Sequence, residues 1–202
     1  MKVWAGDDSK FSMLPSAPSE AALAGPPEVA LIGRCVAGDE RAWRELYRAH
    51  YQAAGAFLRK LGVRERDLDD AMQDVFAELF RSLPRFRGEA QLRTWLYRLC
   101  ATQARRARRF RAVSDVLGSL LGQTSEAATT QELPEDVARR RVSCALDRLS
   151  AAERLVFVLY ELEGLSGEEI APIAGCPTAT VWRRLHYGRA RFRAAIEEEA
   201  AS

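Results

Sequence analysis

Apolar residues in this chain return every three or four positions and nowhere alternate with period two over the length of a strand, which makes its amphipathic stretches helices and its fold all-α. One stretch carries Ala42, Trp43, Leu46, Tyr47, Tyr51, Ala54 and Leu58, with Asp39 placed to cap it. A shorter face, Val29, Leu31, Ile32 and Val36, comes before it and stops near Gly38. After Gly62 a third stripe runs through Leu68, Met72, Val75, Phe76, Leu79, Phe80 and Leu83 to a stop at Pro84. A fourth helix begins near Gln91 with Leu92, Trp95, Leu96 and Leu99 and dissolves into Arg105, Arg106, Arg108, Arg109 and Arg111.

The helical period fails in two places, and these set the domain organisation. Residues 1–27 hold Pro15, Pro18, Pro26 and Pro27 among Ser, Ala and Gly and bury too little apolar surface to offset the entropy of ordering, so they read as a disordered N-terminal extension. Residues 113–134 are rich in small and polar side chains and longer than the usual connection inside a compact domain, which reads as a flexible linker. Within it Val116, Leu117, Leu120 and Leu121 have the spacing of one or two helical turns or of a docking patch. After Pro134 the helical period returns through Val137, Val142, Leu146 and Leu149, then through Leu155, Val156 and Leu159 to Gly164. The expected architecture is two small helical bundles, 28–112 and 135–202, joined by that linker.

Several function classes drop out. No run approaches the roughly 20 apolar residues of a membrane span, and the start lacks the apolar run of a signal peptide, so we expect a cytoplasmic protein without membrane insertion. Cys35, Cys100, Cys144 and Cys176 are far apart in sequence, and His50 and His186 have no ligand partner at helical spacing, so neither a metal nor a cofactor is expected. There is no phosphate-cradling glycine loop and no nucleophile with a base partner, which argues against an enzyme.

The formal charge of +2 conceals strong local fields. Residues 85–111 contain nine arginines against the single acid Glu89, the footprint of a polyanion-binding segment. Phe86, Trp95, Tyr97 and Phe110 are interleaved with it, the ring types on which unpaired bases stack. The preceding helix has the opposite sign: Asp69, Asp70, Asp74 and Glu78, with the amide Gln73 among them, form a face that repels DNA and suits a basic protein surface.

The second bundle carries a helix-turn-helix pattern. Ser166 to Glu169 has the sequence of a capping box opening one helix, and Gly175-Cys176-Pro177 ends it. Pro172 lies inside that helix, where its missing amide predicts a kink. Thr178 has the chemistry of the next N-cap, and Val181, Leu185, Gly188 and Phe192 define the buried stripe of the second helix. At about 100° per residue, Ala179, Arg183, His186 and Ala190 then point away from the core, with Trp182 and Tyr187 on the flanks. Such a face suits a major groove: Arg183 can fork onto guanine, while Arg184, Arg189 and Arg191 suit phosphates. An αα-hairpin with merely solvated arginines remains the alternative for this segment.

In order and spacing these features resemble the extracytoplasmic-function (ECF) group of bacterial RNA polymerase sigma factors. The resemblance rests on Asp67 to Phe76, on Phe86-Arg87-Gly88 and on Thr94 to Leu99 in the first bundle. In the second it rests on Leu149 to Arg154, Glu161 to Ala171, Thr180-Val181 and Arg184-Leu185-His186. It implies a sigma region 2 and a sigma region 4 domain in a promoter-specificity subunit with three kinds of partner: core RNA polymerase, promoter DNA and an anti-sigma factor. It further implies that Asp69, Asp70, Gln73, Asp74 and Glu78 grip the clamp coiled coil of the polymerase largest subunit, and that region 4 meets the flap. Phe86, Arg87, Arg93, Trp95, Thr102, Arg105, Arg106, Arg108 and Arg109 would open and read the minus-10 element. Thr178, Thr180, Trp182, Arg183, Arg184, His186, Tyr187 and Arg189 would read the minus-35 element.

Four positions depart from the family pattern, which usually has an Asn at Thr102, a short polar residue at Arg106, a basic residue at Trp182 and an Arg at Tyr187. Fully extended, the 22 or so steps from Ala112 to Pro134 span at most roughly 75 Å. That allows contacts about 20 base pairs apart. Two other readings fit parts of the pattern: a helix-turn-helix repressor or activator that dimerises on a palindrome, and a sigma-like decoy that binds only a regulatory protein.

Overall fold

The computed structural model describes residues 26–86, 91–120 and 134–200. These form eight helices: α1 (Pro26–Val36), α2 (Glu40–Lys60), α3 (Glu65–Ser82), α4 (Leu92–Leu120), α5 (Pro134–Asp147), α6 (Ala151–Phe157), α7 (Gly167–Ala174) and α8 (Thr178–Ala200). A single 3-10 turn, Leu83–Arg85, follows α3, and a π turn, Val158–Leu162, follows α6. Strands are absent among the described residues. The extension 1–25 and residues 121–133 of the expected linker lie outside them.

Local chemistry explains the helix boundaries. Asp39 caps α2 by accepting from the amides of Arg41 at 2.8 Å and Ala42 at 3.2 Å. Arg34 donates to the same carboxylate, and these bonds hold Asp39 below the usual carboxylate range. Capping boxes open both α6, from Ser150 and Glu153, and α7, from Ser166 and Glu169. Gly175, left-handed at φ 63°, closes α7, and that helix is continuous across Pro172. Thr178 is the first helical residue of α8 rather than its cap, because the carbonyl of Pro177 already accepts the first helical bonds, from Thr180 and Val181.

Helix α4 does not stop at Ala112 but continues through residues 113–120, which the sequence assigns to the linker. Once a long helix is nucleated, each added residue costs little, and Val113, Val116, Leu117 and Leu120 keep the helical period. Counting those residues at 1.5 Å each shortens the greatest reach from Ala112 to Pro134 to about 60 Å, or about 18 base pairs.

The first bundle packs α1, α2, α3 and α4 around Leu46, Phe57, Leu58, Val75, Leu79, Leu83, Leu92 and Leu96, all essentially inaccessible. A second core, from α5 to α8, centres on Leu146, Val156, Leu159, Ile170, Val181 and Leu185, with Phe157 stacked on Phe192 at 4.7 Å. The two bundles touch, chiefly through α4 against α7.

Candidate protein and nucleic-acid interfaces

Helix α3 lays its apolar stripe on the first core and turns Asp69, Asp70, Gln73 and Asp74 outward, all four exposed. Glu78 is half-buried and paired with Arg81 at 3.0 Å, one turn further along. The acidic surface is therefore available to a partner in the isolated chain. Phe80 and Tyr47, which belong to the expected core stripes, are instead 58% and 43% exposed. They extend an aromatic ladder beside the acids, with Trp43 against Phe80 at 4.6 Å and Tyr47 against Phe76 at 4.5 Å. That ladder continues the acidic surface with an apolar one.

Past α3 the 3-10 turn ends at Phe86, which is extended, and Arg87 lies outside the described residues. Phe86 meets the half-buried Trp95 edge-on at 5.7 Å, and the Trp95 indole N–H donates to the Ser82 hydroxyl at 3.3 Å. Trp95 is thus pinned by its polar edge while part of its ring stays accessible. Arg93 lies over the Tyr97 ring, 5.8 Å from its centroid. Tyr97 itself is unavailable for stacking on a base: it is 2% exposed and stacked on Phe57 at 4.3 Å.

Further along α4 the arginines divide by direction. Thr102, Arg106, Arg109 and Phe110 lie on the open face, Phe110 being 80% exposed, and the Thr102 hydroxyl donates back to the Arg98 carbonyl at 3.0 Å. Arg105, itself exposed, and the half-buried Arg108 reach instead for backbone oxygens. Arg105 donates to the Ile173 carbonyl at 3.2 Å and Arg108 to the Leu61 carbonyl at 2.8 Å. Of these four arginines, Arg106 and Arg109 are therefore left open while Arg105 and Arg108 are engaged by backbone oxygens.

In the second bundle α7 and α8 form the helix-turn-helix, with Val181, Leu185, Gly188 and Phe192 buried and Arg183, His186, Tyr187 and Arg189 exposed. Thr178 and Thr180 are half-buried at the start of α8. Arg184 is also half-buried and donates to the Cys176 thiol at 3.3 Å in the turn. Arg189 pairs with Glu161 at 2.6 Å and lies over the Tyr160 ring at 5.3 Å. Trp182 is 45% exposed, meets Tyr160 edge-on at 5.4 Å and leans over the start of α7. Its ring is thus divided between packing and the open face.

No cluster of His, Cys, Asp and Glu suited to a metal ion occurs among the described residues, nor is any of their helices long and apolar enough to cross a membrane. Cys35 and Cys100 are buried, and burial pushes both thiols up from their ordinary range.

Two family descriptions match this architecture: Sigma-70 region 2 over residues 46–113 and Sigma-70, region 4 over residues 139–192. The chain is 31% identical over 174 residues to the RNA polymerase sigma factor NccH of Alcaligenes xylosoxydans xylosoxydans, covering 83% of this chain and 94% of that one. This chain belongs to the ECF group of RNA polymerase sigma factors. The sigma factor is also 32% identical over 170 residues to the ECF RNA polymerase sigma-E factor of Escherichia coli, covering 79% of this chain and 88% of that one.

Among solved structures the sigma factor is similar to CnrH in complex with the cytosolic domain of CnrY, with a TM-score of 0.64 at 25% identity over 84% of this chain and 96% of that one. The sigma factor RpoE in complex with the anti-sigma factor NepR from Bartonella quintana shares the fold at a TM-score of 0.62, with 21% identity over 76% of this chain and 96% of that one. The α1–α4 bundle contains the region 2 match, and the α5–α8 bundle contains the region 4 match.

Proposed function

We propose that this sigma factor binds core RNA polymerase through the exposed α3 face and directs it to a two-part promoter, with α4 and the Phe86 turn on the minus-10 element and α8 on the minus-35 element. The observation that carries this reading is the separation of charge on adjacent helices. Asp69, Asp70, Gln73 and Asp74 are exposed on α3, whereas Thr102, Arg106 and Arg109 are exposed on α4. A carboxylate surface attracts a basic protein and repels DNA, while guanidinium groups beside accessible rings suit separated strands.

The exposed Arg183 and His186 on α8 supply donors of the kind that read base edges in a major groove. Two tethered modules bind weakly on their own, and a scaffold that fixes their spacing supplies the rest. Core polymerase is that scaffold in this reading, residues 113–134 include the tether, and the reaction takes place in the cytoplasm. An anti-sigma factor, the class of partner named with the similar RpoE structure, is the regulator we assign to the chain.

The deciding experiment is transcription in vitro with core polymerase on genomic fragments. Discrete start sites that depend on the added chain, with shared sequence elements upstream, support the proposal. Specific binding to a promoter duplex by the chain alone, together with failure to associate with core enzyme, overturns it in favour of an ordinary helix-turn-helix regulator.

A further inference from the structure

We propose that Trp182 selects a thymine in the minus-35 element by laying its indole ring on the 5-methyl group, and that Gly167 positions the ring for that contact. This specificity rests on the function proposed above, since only a chain that reads duplex DNA through α8 has a use for it.

Trp182 lies in the first half of α8, the part of the second helix of such a motif that reaches base edges in a major groove. Its neighbours on the helix surface, at i−3 and i+4, are Ala179 and His186, both exposed. Ala179 adds almost no bulk, so a base edge has room to approach the ring. Arg183, the next residue, is exposed beside it.

Three elements hold the ring in place. Its Cζ2 and Cε2 atoms fill the space above Gly167 at the start of α7, 2.7 and 3.1 Å from where a Cβ would lie. Tyr160, from the π turn, meets the ring edge-on at 5.4 Å. The Arg189 guanidinium covers Tyr160 in turn at 5.3 Å and is paired with Glu161 at 2.6 Å. A ring clamped in this way loses little further freedom when DNA arrives, so its open surface is already shaped for a partner. That surface is substantial, with 45% of the residue exposed among the polar groups of Arg183, His186 and Tyr187.

The chemistry of the open surface selects the base. In the major groove guanine shows two acceptors, cytosine a donor, and adenine one of each, whereas thymine alone adds a methyl carbon to its acceptor. Ring carbons pressed on a polar edge strip water from it and return no hydrogen bond, which costs free energy. Pressed on the methyl group, they bury apolar area instead. Arg183 supplies the opposite chemistry, a fork for guanine, so the two adjacent side chains read the element by different means.

The test uses holoenzyme assembled from core polymerase and the full chain as wild type, Trp182→Ala, Trp182→Phe and Gly167→Ala. Phenylalanine keeps an apolar ring and removes the indole N–H. Circular dichroism and thermal melting check that each variant is folded. Every holoenzyme selects from the same pool of duplexes, randomised upstream of a minus-10 element taken from a mapped start site. The thymine whose selection depends on Trp182 is then replaced by uracil, which lacks only the methyl group, and binding is measured by competition. In further duplexes the same base is cytosine or 5-methylcytosine, which puts the methyl group on a different base.

We expect one selected thymine to disappear in Trp182→Ala and to persist in Trp182→Phe. Uracil at that position should weaken wild-type binding about fourfold, the worth of one buried methyl group, and leave Trp182→Ala unaffected. The wild type, unlike Trp182→Ala, should bind 5-methylcytosine more tightly than cytosine. Gly167→Ala should lose most of the difference between thymine and uracil while keeping the base that depends on Arg183. Equal weakening at both positions overturns the positioning role of Gly167. Equal wild-type binding of thymine and uracil, or a thymine lost as fully in Trp182→Phe as in Trp182→Ala, overturns methyl reading by Trp182. A holoenzyme that enriches no upstream sequence overturns the proposed function and this specificity with it, whereas one that enriches a sequence indifferent to the methyl group overturns the specificity alone.

Discussion

The indole of Trp182 occupies the space a side chain at Gly167 would need: a Cβ built there lies 2.7 Å from the Trp182 Cζ2 atom. Gly167 is the first residue of α7, where alanine would ordinarily be the better helix former by up to about 1 kcal/mol. Here the order reverses. Alanine at 167 must push the ring outward and break its edge contact with Tyr160, worth roughly 0.5–1.5 kcal/mol. We expect Gly167→Ala to destabilise the fold by about that amount in urea denaturation, and to become neutral or stabilising in a Trp182→Ala background. Equal effects in both backgrounds would show that the ring and the glycine are not coupled.

On α3, Gln73 and Asp74 are exposed and make no contact on which the core depends. Asp74→Arg combined with Gln73→Ala should therefore leave helicity and thermal stability almost unchanged while abolishing co-purification with core polymerase. Reversing one charge inside an opposite-sign interface places like charges together, a penalty of several kcal/mol against the partner. Undiminished co-purification would remove α3 from the polymerase interface.

Helix α8, proposed to read the minus-35 element, should show two kinds of loss. Arg183 is fully outward, so Arg183→Ala should leave stability unchanged and weaken holoenzyme binding to its minus-35 duplex by about 1–3 kcal/mol, with relaxed preference at one base pair. Arg184 is half-buried against the Cys176 thiol, so Arg184→Ala should weaken binding evenly across sequences and also loosen the turn. Competition assays with single-base-pair variants of the duplex separate the two patterns.

Much of this arrangement is legible in the sequence because it depends on short-range periodicity. The stripe Val181, Leu185, Gly188 and Phe192 is buried as its spacing requires, and Ser166 with Glu169 forms the capping box their separation predicts. Phe80 was legible too, under a stricter projection: five residues beyond Val75 at 100° each place it about 140° from that buried side chain, off the stripe rather than on it. The inter-bundle contacts were not legible. Lys60 with Glu163 and Arg154 with the Lys60 carbonyl join residues about a hundred positions apart, and no local pattern encodes which helix end a distant guanidinium will meet. Tyr97 was ambiguous for a related reason: an aromatic residue among arginines suits a base as well as a core, and only the stacking of Phe57 decides between them.

His50 provides a pH test of how α1 is seated. It is 4% exposed on α2, and its Nε2 lies 4.0 Å from a Glu28 carboxylate oxygen of α1, beyond hydrogen-bond reach. Burial lowers the His50 pKa and raises that of Glu28. For His50 the folded chain resists a proton that the unfolded chain accepts below about pH 6.5, so stability falls as pH drops from that point toward the folded pKa. Glu28 acts in the opposite sense: its folded form takes up a proton before the unfolded one does, so its contribution rises as pH falls toward about 4.5. Between pH 7 and 5.5 we expect the thermal midpoint of the wild-type chain to drop more than that of His50→Gln, with the two curves closest at pH 7.5. A Glu28→Gln variant should steepen the wild-type decline, since it removes the opposing group and leaves His50 in place. Parallel curves for all three proteins would show that this buried pair does not couple the seating of α1 to pH.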